Sequence, residues 1–126
     1  MIIPMDAPLI IRRNDNPFRV LFVFEHPDGS VIDMTGVTAK WQARLYPGAP
    51  GGPLLEATTG ELVAPRLIGS GLGIELVLTN AAIETLPAGE PGLPSIIHHD
   101  LLITMDGDEN AWAAGAVTVE WGVTND

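Results

Sequence analysis

The chain has 126 residues, which is enough for one domain with a single hydrophobic core. Its 16 acidic and 6 basic residues give a net charge of −10, which argues against nucleic acid as a partner because such binding depends on clustered Lys and Arg. The absence of cysteine excludes disulfides and thiolate metal sites.

Targeting and membrane signals are missing from the sequence. The opening residues MIIPMDAP contain no basic or apolar secretory signal, and no apolar run is long enough to span a membrane. We therefore expect folding in a cytoplasm and no membrane partner. We expect one domain over residues 1–126, with residues 1–11 as a candidate N-terminal arm and 12–124 as the main body.

Clusters of Gly and Pro interrupt short apolar runs along the whole chain, which is typical of an all-β sandwich or barrel. The first clear run is FRVLFVFE, residues 18–25. Alternation places its phenylalanines and Val20 on one face and the residues between them on the other. Pro27-Asp28-Gly29 then predicts a turn, because proline presets φ and glycine accepts a positive φ.

The segment VTAKWQARLY, residues 37–46, shows the strictest alternation in the chain. Its odd positions are apolar and its even positions are polar, so Trp41 and its odd-numbered neighbours, Leu45 included, are predicted to face the core. The later segment GIELVLT predicts a strand that buries Ile74, Leu76 and Leu78.

One segment has helical rather than alternating spacing. In TNAAIETLPAG, Ala82, Ile83 and Leu86 recur at helical intervals behind a capping candidate at Thr79 or Asn80, and Pro87 ends the pattern. We predict a short helical turn near residues 79–86.

The stretch IIHHDLLITMDG, residues 96–107, suggests a metal site at first sight. On a strand, however, His98 and His99 point to opposite faces, and only Asp100 shares a face with His98. A zinc site needs three or four ligands. We therefore predict an edge or surface histidine pair on a strand, with no metal bound.

Two segments follow this strand. DGDEN, residues 106–110, resembles the start of a calcium loop, but Ala111 and Val117 stand where that loop needs glycine and glutamate. It is better interpreted as an acidic hairpin tip, although weak calcium binding stays open. The final strand, AVTVEWGVT, is predicted to bury Val117, Val119, Trp121 and Val123.

No set of residues suited to catalysis converges in the sequence. The serines lie in turns outside any nucleophile motif, and the glycines of GSGLG, residues 69–73, lead into a strand rather than a phosphate-binding helix. We expect no enzymatic activity and no cofactor, with a small hydrolase of unrecognised site as the least favoured alternative.

Apolar residues also occupy positions that alternation assigns to the outside. We predict a candidate protein interface formed by Leu21, Val23, Val77 and Leu102, or by the N-terminal arm; the alternative is that these side chains are scattered or lie under loops. Two aromatic residues, Trp112 and Tyr46, are placed for exposure and are weak candidates for binding a glycan.

The order of these elements resembles the immunoglobulin-like domains of tailed-phage structural proteins, such as the N-terminal domain of the baseplate upper protein. The similar pieces span residues 12–124. They are the lead-in Arg13–Asn16, the Asp28-Gly29 turn, Asp33-Met34-Thr35-Gly36, the strand with Trp41-Gln42-Ala43-Arg44, LTNAAIETLPAG, HDLLITMDGD and GAVTVEWGVT. Residues 90–95 depart from the family pattern, because they intervene before a strand that lacks the usual tyrosine.

The resemblance implies an immunoglobulin-like antiparallel β-sandwich of about seven to nine strands. It also implies a non-enzymatic structural module of a phage or prophage virion, in the tail, baseplate, fibre or neck. Such a module would pack against copies of itself or other virion proteins. The alternative from a different class is a glycan-binding or adhesion module.

Overall fold

The computed structural model describes residues 4–87 and 93–120. The regular secondary structure of the described residues is almost entirely β, with one short helix. Its elements in chain order are β1 (Met5–Asp6), β2 (Leu9–Arg12), β3 (Phe18–Phe22), β4 (Thr38–Arg44), β5 (Leu55–Thr58), β6 (Arg66–Ser70), β7 (Gly73–Leu78), α1 (Asn80–Ile83), β8 (Ser95–Met105) and β9 (Asp108–Glu120).

The nine strands form one curled sheet in the order β1-β9-β8-β4-β5-β6-β7-β3, with β2 also paired to β9. Most neighbours are antiparallel, but β1 and β2 run parallel to β9, and β5 runs parallel to β6. The β5–β6 pairing consists of the single pair Thr58–Arg66. The all-β class and the short helix are therefore confirmed, while the immunoglobulin-like sandwich stays a prediction.

Side chains from both ends of the sheet order share one hydrophobic core. Trp41 on β4 is fully buried at its centre. Phe22 of β3 lies 6.0 Å, between ring centroids, from His99 of β8. Because β3 and β8 lie far apart in the sheet order, this contact shows that the sheet curls far enough to bring its inner faces together.

The alternation predicted for the strands is confirmed at most positions. Phe22, Phe24, Ala39, Ala43, Ile74, Leu76, Leu78, Val117 and Val119 are buried as expected. Leu45 is an exception, because β4 ends at Arg44 and leaves the Leu45 side chain 54% exposed. Trp121 and Val123, and residues 90–92 of the segment that departs from the phage pattern, lie outside the described residues.

Local sequence signals explain where two elements begin and end. Thr79 caps α1, and its Oγ1 accepts a hydrogen bond from the Ala82 backbone N–H at 3.1 Å. The β8–β9 hairpin turns through Asp106 and Gly107, whose φ angles of 52° and 83° suit a two-residue turn. The acidic hairpin tip predicted from DGDEN is thus confirmed.

The N-terminal segment, residues 4–12, belongs to the sheet. Ile11 is fully buried, and Leu9 is nearly so, against the core. Arg12 pairs with Glu120 both in register and through an ion pair of 3.1 Å between Nε and Oε1. Residues 4–11 of the candidate arm therefore pack against the sheet of the same molecule rather than extending away from it.

Candidate protein interface

The four residues predicted to form an interface occupy three different environments. Leu21 and Val23 are 40% and 37% exposed on the outer face of the β3 end of the sheet. Val77, expected at the surface, is buried instead at 5% exposure. It pairs with Arg19 on one side and Arg66 on the other, and long arginine side chains cover apolar surface with their aliphatic stems.

Leu102 does not join the other three residues. It lies on β8, where it is half-buried between Lys40 and Ala111 in the register. In the sheet order β8 is separated from β7 by β4, β5 and β6. The predicted four-residue interface is therefore wrong as a single surface, although Leu21 and Val23 remain together.

Two more exposed apolar residues, Val31 and Leu72, lie on segments that pack next to this stretch. Val31, 42% exposed, pairs with Glu25 through an isolated bridge just beyond β3. Leu72, 67% exposed, precedes Gly73, which packs against the backbone of Phe22 and Val23. We call the group Leu21, Val23, Val31 and Leu72 the edge patch.

Leu21 of the edge patch lies on β3, a strand with an open side. Within residues 4–87 and 93–120, β3 pairs with β7 alone and ends the sheet order. An exposed edge strand offers unpaired backbone N–H and C=O groups to a further chain, and natural proteins usually protect such edges. Arg19, ion-paired with Glu75 at 3.0 Å, is the charged residue of this strand.

A second apolar feature crosses the opposite end of the sheet. Ile10 of β2 and Ile96 of β8 both pair with Thr118 of β9, so the three residues form a row across three strands. Ile10 is 55% exposed and Ile96 is 67% exposed. We call Ile10, Thr118 and Ile96 the isoleucine row.

The two aromatic residues proposed for glycan contact differ in exposure. Tyr46 is 54% exposed beside the Pro/Gly loop of residues 47–53, as predicted. Trp112 is half-buried, and its ring meets Phe24 edge-on at 5.5 Å between centroids. Its Nε1 is buried without a hydrogen-bond partner among the described residues.

A β-bulge explains why Trp112 faces the core. The β8–β9 register shifts by one residue between Leu101 and Leu102, so that Leu101 pairs with Ala113 and Leu102 with Ala111. The extra residue, Trp112, breaks the two-residue alternation. The expected exposure of Trp112 is therefore wrong, because a bulge cannot be recognised from alternation alone.

The side chains of His98 and His99 point to opposite faces of β8, as predicted. His98 lies on the outer face, where its Nε2 is 3.0 Å from Asp100 Oδ1. His99 is fully buried on the inner face, so the expectation of a surface pair is wrong for this residue. Because β8 has β4 on one side and β9 on the other, it is a central strand rather than an edge.

His99 is held by two hydrogen bonds in the core. Its Nδ1 accepts from Trp41 Nε1–H at 2.9 Å, so Nε2 carries the proton of the neutral ring and donates to the Ala7 carbonyl at 2.6 Å. Burial lowers the pKa of His99, and the bond to Ala7 opposes that shift in part. Sequence reasoning missed this hydrogen-bonded pair, because it placed Trp41 in the core but both histidines at an edge or on the surface.

No group of three or more metal-ligating side chains occurs within the described ranges. An open groove of about 570 Å³ lies near the single β5–β6 pair, between Gly36–Thr38, Thr59–Leu62 and Arg66–Gly69. Glu61 and Arg66 are its charged residues, and Arg66 Nη1 donates to the Leu62 carbonyl at 3.0 Å. Among the described helices, none is long and apolar enough to cross a membrane.

No protein-family model matches the chain, and no curated protein matches it.

Proposed function

We propose that this chain is a non-enzymatic assembly module of a phage or prophage virion, located in the tail, baseplate, fibre or neck. It acts by packing its outer sheet surface against protein. The resemblance in the order of its elements supports the phage context. The edge patch supports packing against protein, because its exposed Leu and Val side chains lie next to the unpaired edge of β3.

The occupant of the edge patch in this proposal is a second copy of the chain. The ion pair between Arg19 and Glu75 neutralises two charges beside Leu21, while Glu25 beside Val31 is a further acidic residue of this surface. The ion pair therefore lowers the repulsion between two copies that each carry a net charge of −10. The isoleucine row at the other end of the sheet provides a separate surface for a different neighbour in the particle.

Sedimentation velocity over a concentration series tests this packing. We expect the wild-type protein to associate as its concentration rises, and Leu21→Lys to remain monomeric. The variant should fold, because position 21 pairs with Glu75, which suits a lysine. Leu62→Lys is the matched control, since Leu62 is 88% exposed on a loop outside the patch.

Two outcomes contradict packing through the edge patch. One is a wild-type protein that stays monomeric at high micromolar concentration. The other is association that Leu21→Lys leaves unchanged. The virion context is tested separately by the position of the gene, which we expect between genes for tail or head proteins.

The exposure of Tyr46 favours a glycan-binding module as the second candidate. A glycan array with the wild-type protein and Tyr46→Ala tests it. Specific binding by the wild-type protein that Tyr46→Ala abolishes would support this function. An array without specific binding would leave the assembly role as the proposal.

A further inference from the structure

The contact between His99 and Ala7 joins the core of the protein to its N-terminal segment. The segment, residues 4–12, pairs with β9 alone among the described strands. Its parallel pairing is interrupted at Ala7 and Pro8, between β1 and β2. At this interruption the Ala7 carbonyl accepts the hydrogen bond from His99 Nε2, and the Ala7 N–H donates to the Ala114 carbonyl at 2.9 Å.

Gly115 makes this contact possible. It is the register partner of His99 on β9. A Cβ on Gly115 would lie 3.0 Å from the carbonyl carbon and oxygen of Ala7 and 3.2 Å from Pro8 N. The missing side chain therefore lets the N-terminal segment cross β9 closely enough to reach the buried imidazole.

The imidazole can hold both partners only while it is neutral. Protonation places a hydrogen on Nδ1, which then faces the Trp41 Nε1–H donor, so two donors meet in the core. The buried indole N–H loses its acceptor, and the imidazolium charge has one carbonyl as its hydrogen-bond partner. Both effects disfavour the present arrangement.

Among the described residues, no acidic side chain is buried beside His99 to compensate the added charge. Around His99, β4 contributes Trp41 and Ala43, β3 contributes Phe22, and β9 contributes Gly115, none of which titrates. The nearest titratable groups are Asp6 on the N-terminal segment, and His98 and Asp100 on the opposite face of β8. His99 is the one buried polar or charged residue in the described part of the chain.

We propose that His99 is a proton-sensitive latch that holds the N-terminal segment on β9 when neutral and releases it when protonated. The segment moves rather than the core strands, because it pairs with β9 alone, whereas Trp41 and His99 belong to β4 and β8, which are each paired on both sides. Release gives the imidazolium access to water and leaves the edge of β9 unpaired.

Amide hydrogen exchange tests the latch, with protection factors corrected for intrinsic exchange at each pH. Between about pH 7.5 and about pH 5, we expect protection of Leu9–Arg12 to fall by about tenfold or more. Protection within β4 and β8 should change much less. His99→Gln, which cannot titrate but can donate to Ala7, should show pH-independent protection of the segment, and His98→Gln should behave like the wild-type protein.

Three results would overturn the proposal. The first is protection of Leu9–Arg12 that does not change with pH in the wild-type protein. The second is an equal fall in His99→Gln. The third is a fall shared equally by β4 and β8, which indicates global unfolding.

An NMR titration of the wild-type His99 ring nitrogens makes the test independent of the variants. Protonation of Nδ1 together with loss of the Trp41 indole hydrogen bond and release of the segment supports the latch. Protonation with the segment still held on β9 refutes it.

Discussion

At the scale of single residues, Trp41 contributes most to the core, because it is fully buried and its N–H has a buried acceptor. We expect Trp41→Ala to lower the free energy of unfolding by about 3–5 kcal/mol, as core aromatic truncations do. Tyr46→Ala, at a position 54% exposed, should cost less than about 1 kcal/mol. Urea denaturation measures both, and equal losses would contradict the assignment of Trp41 to the core and of Tyr46 to the surface.

Gly115 is predicted to tolerate no side chain. Gly115→Ala places a methyl group against the backbone of Ala7 and Pro8, which cannot rotate away as a side chain can. We expect a loss of about 1–3 kcal/mol in the free energy of unfolding, as for overpacked sites. Gly60→Ala is the control because open space surrounds that glycine, and equal effects of the two substitutions would refute the close crossing of the N-terminal segment.

His99 makes global stability depend on pH. Its pKa is lowered from 6.5 in the folded protein, so in the range just below that value the unfolded chain binds a proton that the folded chain does not. The stabilisation that depends on neutral His99 is fully present above about pH 6.5 and decreases as the pH falls below that value. Urea denaturation at several pH values should show this decrease in the wild-type protein and a smaller decrease in His99→Gln. If the free energy of unfolding changed equally with pH in both proteins, His99 would not be the source of the dependence.

At the scale of elements, the helical turn depends on its cap. Thr79→Ala removes the acceptor for the Ala82 N–H, and we expect a loss of about 1 kcal/mol in the free energy of unfolding. Thr79→Ser keeps a hydroxyl at the cap and should retain most of that stability. If Thr79→Ala and Thr79→Ser proved equally stable in thermal or urea denaturation, the cap would not stabilise α1.

The elements were predictable from sequence where one physical rule acts alone. Alternation placed Trp41, Phe22 and Leu76 correctly, and turn chemistry placed the Asp106–Gly107 hairpin. Prediction failed where a second strand or a bulge intervenes. Trp112 faces inward because of a register shift in β9, and Val77 is buried between two arginines from neighbouring strands.

The histidine pair shows the same limit. Alternation predicts that His98 and His99 separate, which the structure confirms. Strand order decides the rest. It places β8 in the middle of the sheet, next to β4, which carries the Trp41 that bonds to His99. Strand order follows from long-range pairing, which local periodicity does not encode.

At the scale of the whole molecule, composition predicted the all-β class but not the pairing of the N-terminal segment. That segment reads as an apolar arm, and the structure shows residues 5–12 parallel to β9 with Leu9 and Ile11 in the core. The surfaces that we propose for contact with other proteins are instead the edge patch and the isoleucine row. Leu21 and Val23 of the edge patch were predictable because they alternate with core residues on one strand, whereas Val31 and Leu72 join them only through the fold.

In the function that we propose, a second copy of the chain packs on the edge patch. Methyl NMR spectra of Leu-, Val- and Ile-labelled protein, recorded from low to high micromolar concentration, test this most directly. We predict concentration-dependent shifts for Leu21, Val23, Val31 and Leu72, with the core methyl groups of Ile74 and Ile103 unchanged. Spectra in which the edge-patch methyl groups do not shift with concentration would contradict the claim.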